Sequence, residues 1–153
     1  IGRTEHSASL IREHATAQAS QSGRTKDLYL DIADIAVPMA AEYLAKVADE
    51  LVQNAFKFSE AGTPVRVQLK EAFNSNVITV ADQGRGFSTE EIAHIGAYMQ
   101  FERKMNEQQG LGLGLTIAKR LVELHGGTFS IEGKKGEGAT IIAKLPKTKL
   151  ESN

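Results

Sequence analysis

The sequence predicts an α/β two-layer sandwich, with a mixed, mostly antiparallel sheet covered on one face by helices. Three observations carry that expectation. Apolar residues recur at helical spacing in some segments and alternate at strand spacing in others. The elements come as helix, strand, helix, two strands, helix, loop, helix, two strands, grouped rather than strictly alternating. A chain of 153 residues, 41% hydrophobic and 24% charged, suffices for one core and leaves little for a second.

Leu10, Ile11, Ala15 and Ala19 give a weakly amphipathic helix from Ser7 to about Ser20, ended by Gly23. Leu28, Leu30 and Ile32 alternate with Tyr29 and Asp31 as a strand. Pro38 suits the first turn of a long helix. Its apolar stripe is Leu44, Val47, Ala48, Leu51, Val52 and Ala55, running to about Phe58. After the turn at Ala61-Gly62-Thr63-Pro64, Val65, Val67 and Leu69 alternate as a strand. Asn74-Ser75-Asn76 reads as a hairpin turn into Val77, Ile78 and Val80. Ser88 and Glu91 form a capping box that opens a short helix. An aperiodic loop runs from about Gly96 to Gly112. A helix through Leu115, Ile117, Ala118, Leu121, Val122 and Leu124 is then closed by Gly126-Gly127. Strands at Thr128–Glu132 and Ala139–Leu145 finish the sheet, with Pro146 as the stop.

Composition narrows the function. A formal charge of −1 argues against nucleic acid or an anionic membrane as the main partner. The absence of cysteine removes disulfides, thiolate metal sites and a cysteine nucleophile. Four histidines, His6, His14, His94 and His125, show no zinc-site spacing. No apolar run reaches bilayer length and no signal-peptide pattern opens the chain, so a cytoplasmic location is expected. Residues 1–4 read as the end of an upstream linker, 5–147 as the domain and 148–153 as a loose tail.

Four local patterns bear chemistry. On the long helix Glu50, Asn54 and Lys57 share one face, and a carboxylate, an amide and an ammonium so aligned can hold magnesium and phosphate oxygens. The residues alone equally fit a solvated polar face. Asp82-Gln83-Gly84-Arg85-Gly86 follows a strand. A carboxylate there can accept from an exocyclic amine while flat glycine backbone lies against a ring, or the segment is an ordinary turn. Gly110-Leu111-Gly112-Leu113-Gly114 stands immediately before the helix at Thr116, where glycine N–H groups and the helix dipole make an anion site or, without a ligand, a hinge. No Walker Gly-Lys-Ser/Thr follows, and no strand precedes it as in a Rossmann loop. Gly136-Glu137-Gly138-Ala139-Thr140 enters the last strand as a hairpin turn.

Together, in this order and spacing, the patterns resemble the ATP-binding (catalytic) domain of sensor histidine kinases. That domain belongs to the ATPase superfamily shared with gyrase B, MutL and the ninety-kilodalton heat-shock chaperones. Glu50–Ser59 resembles the N box with its Asn-Ala-x-Lys-Phe-Ser ending, and Asp82–Gly86 the first glycine box. Phe101-Glu102-Arg103 resembles the phenylalanine box and Gly110–Gly114 the second glycine box. The likeness runs from about Glu5 to Pro146 and implies a Bergerat-type ATP-binding fold.

By that resemblance Asn54 holds the Mg²⁺ that bridges the ATP phosphates, and Lys57 lies near them. Asp82 takes the adenine N6 directly and through water, with Thr140 supporting that water. Gly84 and Gly86 shape the adenine pocket. Phe101, Arg103 and Lys104 belong to a lid, and Gly110, Leu111, Gly112, Leu113 and Gly114 let it fold over the triphosphate. Gln108 and Gln109 are further phosphate candidates. Two residues depart from the pattern. Glu50 stands where many histidine kinases have Asn and the gyrase-like ATPases have a water-positioning Glu, which makes it a candidate to orient or deprotonate the nucleophile. Leu111 replaces a commoner Ser or Thr.

None of the four histidines precedes an acidic residue, as the kinase acceptor does. The resemblance therefore implies γ-phosphoryl transfer to a histidine on a separate dimerisation/phosphoacceptor helical domain upstream, with a response regulator downstream. The domain by itself is expected to be monomeric. The full-length protein is compatible with a membrane anchor, although this segment carries none. Two other readings share the fold: a serine-kinase-type anti-sigma regulator, and a hydrolytic ATPase clamp that Glu50 would suit. A non-catalytic nucleotide sensor is a third, against which Asn54, Asp82 and the intact glycine boxes stand.

Overall fold

The computed structural model describes residues 2–95, 113–133 and 135–147. Its elements are α1 (Ser7–Gln21), a 3-10 turn (Thr25–Asp27), β1 (Leu28–Ile32), α2 (Ala41–Lys57), β2 (Val65–Glu71) and β3 (Ser75–Asp82). They continue with α3 (Thr89–Ile95), α4 (Leu113–Leu124), β4 (Thr128–Glu132) and β5 (Ala139–Pro146). The strands form one sheet in the order β1-β2-β3-β5-β4. β1 and β2 run parallel, with α2 as their crossover, and every other pair is antiparallel. The expected two-layer sandwich is the observed fold.

Pleat alternation sends Val65, Val67 and Leu69, then Ile78 and Val80, then Ala139, Ile141, Ala143 and Leu145 to the helix-covered face, where all are buried. α2 lies on that face, flanked by α1 and α4. Its stripe residues Leu44, Val47, Ala48, Leu51, Val52 and Ala55 are buried, as are Ile11, Ala15 and Ala19 on α1 and Leu115, Ala118 and Val122 on α4. The capping box forms reciprocally: Ser88 N–H donates to Glu91 Oε1 at 2.9 Å, and Glu91 N–H to Ser88 Oγ at 3.1 Å.

Several boundaries differ from expectation. Pro38 precedes α2 rather than opening it. Val37 pairs with Thr4 through two 2.9 Å backbone bonds, which keeps this stretch extended until Ala40 caps the helix. Thr4, assigned to a linker from the sequence, is buried in that bridge and donates Oγ1–H to the Met39 carbonyl at 2.8 Å. The β2–β3 turn falls at Phe73-Asn74, with Ala72 N–H bonded to the Ser75 carbonyl at 2.8 Å. Asn76 is therefore a strand residue, buried, and donates Nδ2–H to the Ala36 carbonyl at 3.2 Å. α4 already includes Leu113 and Gly114, upstream of the expected start at Thr116.

A single buried arginine closes the end of α2. Arg24, 7% exposed, donates to the carbonyls of Phe56, Ser59, Glu60 and Thr63 at 2.7–3.1 Å and pairs with Asp27 at 2.7 Å. Arg24, followed by the Gly62 N–H, holds the Asp27 carboxyl below its ordinary value.

Leu51→Ala should lower the unfolding free energy by about 2–5 kcal/mol, because a fully buried side chain leaves a cavity where α2 meets the sheet. Urea denaturation of the two chains checks it.

Candidate functional site

Register brings one pole of the sandwich together. Asp82 is the last residue of β3, paired on one side with Val65 at the start of β2 and on the other with Ala139 at the start of β5. Since β2 follows the carboxyl end of α2, Asp82 lies at the same pole as the last turn of that helix. The first turn of α4 reaches it too, because Gly114 lies against the Glu50 carboxylate.

On α2 the spacing of Glu50, Asn54 and Lys57 does set them along one flank of the apolar stripe. Glu50 is 14% exposed: its Oε2 pairs with Lys46 Nζ at 2.7 Å, and its Oε1 covers Gly114. A Cβ at 114 would require that carboxylate to move aside. A carboxylate beside the first turn of a helix is favoured by the dipole. Asn54 is half-buried one turn on, and Lys57 is the exposed last residue of the helix. Lys57 Nζ stands 5.6 Å from the Phe58 ring centroid, and the Arg85 guanidinium stands 4.8 Å from the same ring.

Asp82 Oδ1 accepts the Gly84 N–H at 2.7 Å. Burial pushes the Asp82 carboxyl above the ordinary aspartate value, opposed by the N–H groups of Gly84 and Ala139 and by the charge of Arg24. Gly84 passes so close to the Phe58 carbonyl that a Cβ there would overlap it. Arg85 N–H donates to that same carbonyl at 3.2 Å, Gly136 N–H donates to the Arg85 carbonyl, and Arg85 Nη2 lies 3.5 Å from Glu91 Oε2. Gly86, at the end of the same loop, is buried.

Thr140 does not join Asp82. It pairs with Ala81 and Glu132, so the pleat turns its side chain to the face away from the helices. The residue beside Asp82 is Ala139, which supplies a backbone N–H and no hydroxyl. Phe101, Arg103, Lys104, Gln108, Gln109, Gly110, Leu111 and Gly112 lie outside the described residues. Leu113 belongs to the first turn of α4.

Sequence reasoning gave no role to Phe58, Arg85 or Arg24. Phe58 is visible only as part of a motif, and four partners of Arg24 are backbone carbonyls without a sequence signature. Among the described residues no three His, Cys, Asp or Glu side chains cluster to hold a metal. A cation here would lean on the Asn54 amide oxygen and on ligand oxygens, the habit of magnesium rather than zinc. Two of the histidines have structural contacts: His14 Nδ1 is 3.0 Å from Asp49 Oδ1, and His125 Nδ1 is 2.7 Å from the Leu121 carbonyl. No described helix is long and apolar enough to cross a membrane.

Comparison with known proteins agrees with this geometry. Residues 39–149 match the family described as histidine kinase-, DNA gyrase B-, and HSP90-like ATPase. The heme sensor protein HssS of Staphylococcus saprophyticus is 34% identical over 132 residues, 83% of this chain and 28% of that protein. The sensor protein DivL of Caulobacter vibrioides is 38% identical over 106 residues, 69% of this chain and 13% of that protein. The chain thus spans little more than a quarter of these curated relatives at most. Among solved structures, the mycobacterial sensor histidine kinase MprB superposes with a TM-score of 0.76 at 20% identity, covering 97% of this chain and 99% of that one. The catalytic domain of histidine kinase ThkA gives 0.75 at 22% identity, covering 97% and 96%. At these identities the superpositions show the same fold. The chain belongs to the histidine kinase-, DNA gyrase B- and HSP90-like ATPase family.

Proposed function

We propose that this domain binds Mg-ATP and transfers the γ-phosphoryl group to a histidine on a separate dimerisation/phosphoacceptor helical domain, from which a response regulator is phosphorylated. The observation that carries the reading is the seat of the Asp82 loop on the Phe58 carbonyl. It sets a half-buried carboxylate and the Glu50–Asn54–Lys57 flank around one pole. In this reading Asp82 accepts from the adenine N6, and the bare backbone at Gly84 and Gly86 admits the ring. Asn54 offers its amide oxygen to Mg²⁺, and Lys57 lies toward the phosphates. Held by the Asn54 amide oxygen and by phosphate oxygens of the ligand, a magnesium ion would supply positive charge against that developing during transfer. The glycines from Gly110 to Gly114, with Phe101, Arg103 and Lys104, act as the lid over the triphosphate. Glu50 orients the attacking group or accepts its proton, and its pairing with Lys46 and its contact with the α4 first turn hold the carboxylate in place.

A hydrolytic reading also has an observation in its favour, the same Glu50. Incubation with γ-labelled ATP and Mg²⁺ separates the two. The kinase reading expects little free phosphate and no label on this chain, with label appearing on an added phosphoacceptor domain. Steady phosphate release without labelling would favour water activation by Glu50, and acid-labile label on this chain alone would place an acceptor histidine within it.

Asp82→Asn should weaken ATP binding by about tenfold to a hundredfold, the range for losing a hydrogen bond to a charged acceptor. Titration calorimetry measures it. For the unaltered chain, ATP affinity should fall as pH drops through the raised Asp82 pKa, since the ionised carboxylate is the stronger acceptor for the N6 hydrogen bond. The fold responds with the opposite sign: a raised carboxyl pKa costs stability as pH rises through the same window. Asp82→Asn should therefore melt no earlier than the parent at neutral pH.

Glu50→Gln keeps the shape that covers Gly114. It should slow transfer to an added acceptor domain by roughly 10²-fold or more while leaving ATP affinity within about threefold. Equal loss of binding and transfer would remove Glu50 from the chemistry.

A further inference from the structure

We infer that Arg24 is a positioning residue of the nucleotide site: its guanidinium fixes the carbonyls that end α2, and through them the seat of the Asp82–Gly86 loop. This deepens the ATP-site reading above and rests on it.

Each guanidinium nitrogen is engaged. Nε donates to Asp27 Oδ2 at 2.7 Å. Nη1 donates to the Phe56 carbonyl at 3.1 Å and to the Ser59 carbonyl at 2.9 Å. Nη2 reaches the carbonyls of Glu60 at 2.7 Å and Thr63 at 2.9 Å. The group also stacks 4.9 Å above the Phe56 ring. The last carbonyls of a helix have no partner within it, and here one planar fork supplies donors to that end and to the turn beyond it. Lysine cannot substitute, because three donors on one point do not fan across acceptors spread from Phe56 to Thr63.

The consequence for the site follows from what lies between the clamped groups. Phe58 stands between Phe56 and Ser59, whose carbonyls Nη1 holds together. The Phe58 carbonyl receives the Arg85 N–H and bounds the space at Gly84, and the Gly84 N–H in turn holds Asp82. A drift of Phe58 by a few tenths of an ångström therefore moves the proposed adenine acceptor. Lys57 shares the same turn and moves with it. Arg24 also acts on Asp82 through its charge, which favours the carboxylate form against burial. A purely structural arginine would affect melting temperature alone.

The test compares wild type, Arg24→Lys and Arg24→Gln at a temperature where circular dichroism shows each folded, measuring ATP affinity across pH. Arg24→Lys keeps the cation and loses the fork. It should bind ATP about tenfold more weakly at neutral pH, with the acid-side loss of binding starting where it does in wild type. Arg24→Gln should bind at least as weakly, and its acid-side loss should begin at higher pH, because Asp82 then lacks a cation that keeps it ionised. Should the glutamine variant not fold, the lysine variant carries the test. Folded variants that bind ATP with wild-type affinity and a wild-type pH profile overturn the inference. A wild-type chain that fails to bind ATP instead overturns the reading on which it rests.

Discussion

Everything at the site depends on α2 being unable to rotate. Seven of its side chains are buried, and the five larger ones, Leu44, Val47, Leu51, Val52 and Phe56, are each worth about 1.5–3 kcal/mol when removed from water. The Lys46–Glu50 pair on its flank is worth about 1 kcal/mol or less. Burial therefore sets the rotational angle of the helix, and the polar flank follows as a by-product of the 100° step between residues. A helix wholly on the surface could turn Glu50, Asn54 and Lys57 away from one another's targets. This one serves as core and as wall of the site at once.

The second constraint is that charge has been taken indoors and fully met. Desolvating a guanidinium costs several kcal/mol, and such a group is stable only where its donors are all used. Around Arg24 the acceptors are four backbone carbonyls, Asp27 and the hydroxyls of Ser59 and Thr63. An apolar residue of equal volume would leave those carbonyls without donors at a helix end turned inward. The arginine is thus retained for the geometry of its acceptors, and the same geometry sits under Phe58. Two cations, Lys57 and Arg85, gather on that ring from opposite motifs, so a residue without polar side-chain atoms joins the helix flank to the glycine turn.

What was legible in the sequence were features with a period or a local partner. The alternation of Val65, Val67 and Leu69, the stripe on α2 and the box between Ser88 and Glu91 declare themselves over a few residues. Asn76 was misread because Asn-Ser-Asn is turn chemistry by composition, while its burial depends on the Ala36 carbonyl forty positions away. Pro38 suggested a helix start because nothing local reveals that Thr4 will hold Val37 extended. Thr140 went to the wrong face because register decides faces, and one position separates Ala139, beside Asp82, from a side chain on the opposite surface. The motif order was enough to indicate the family, whereas the carbonyl contacts of Arg24 leave no trace in any short window.

The central pairing of the sheet has a consequence for how such domains diversify. β3 and β5 lie side by side from Ser75↔Pro146 to Asp82↔Ala139, although α3, α4 and β4 intervene in the chain. Closing a flexible connection becomes only about 0.6 kcal/mol harder each time its length doubles, far less than the ladder and core contacts that fix the register. Residues can therefore be added to or removed from the stretch between α3 and α4 with little effect on where Asp82 stands. The pole at which β3 ends is held by strand pairing, so chain length elsewhere can vary while Asp82 stays where it is.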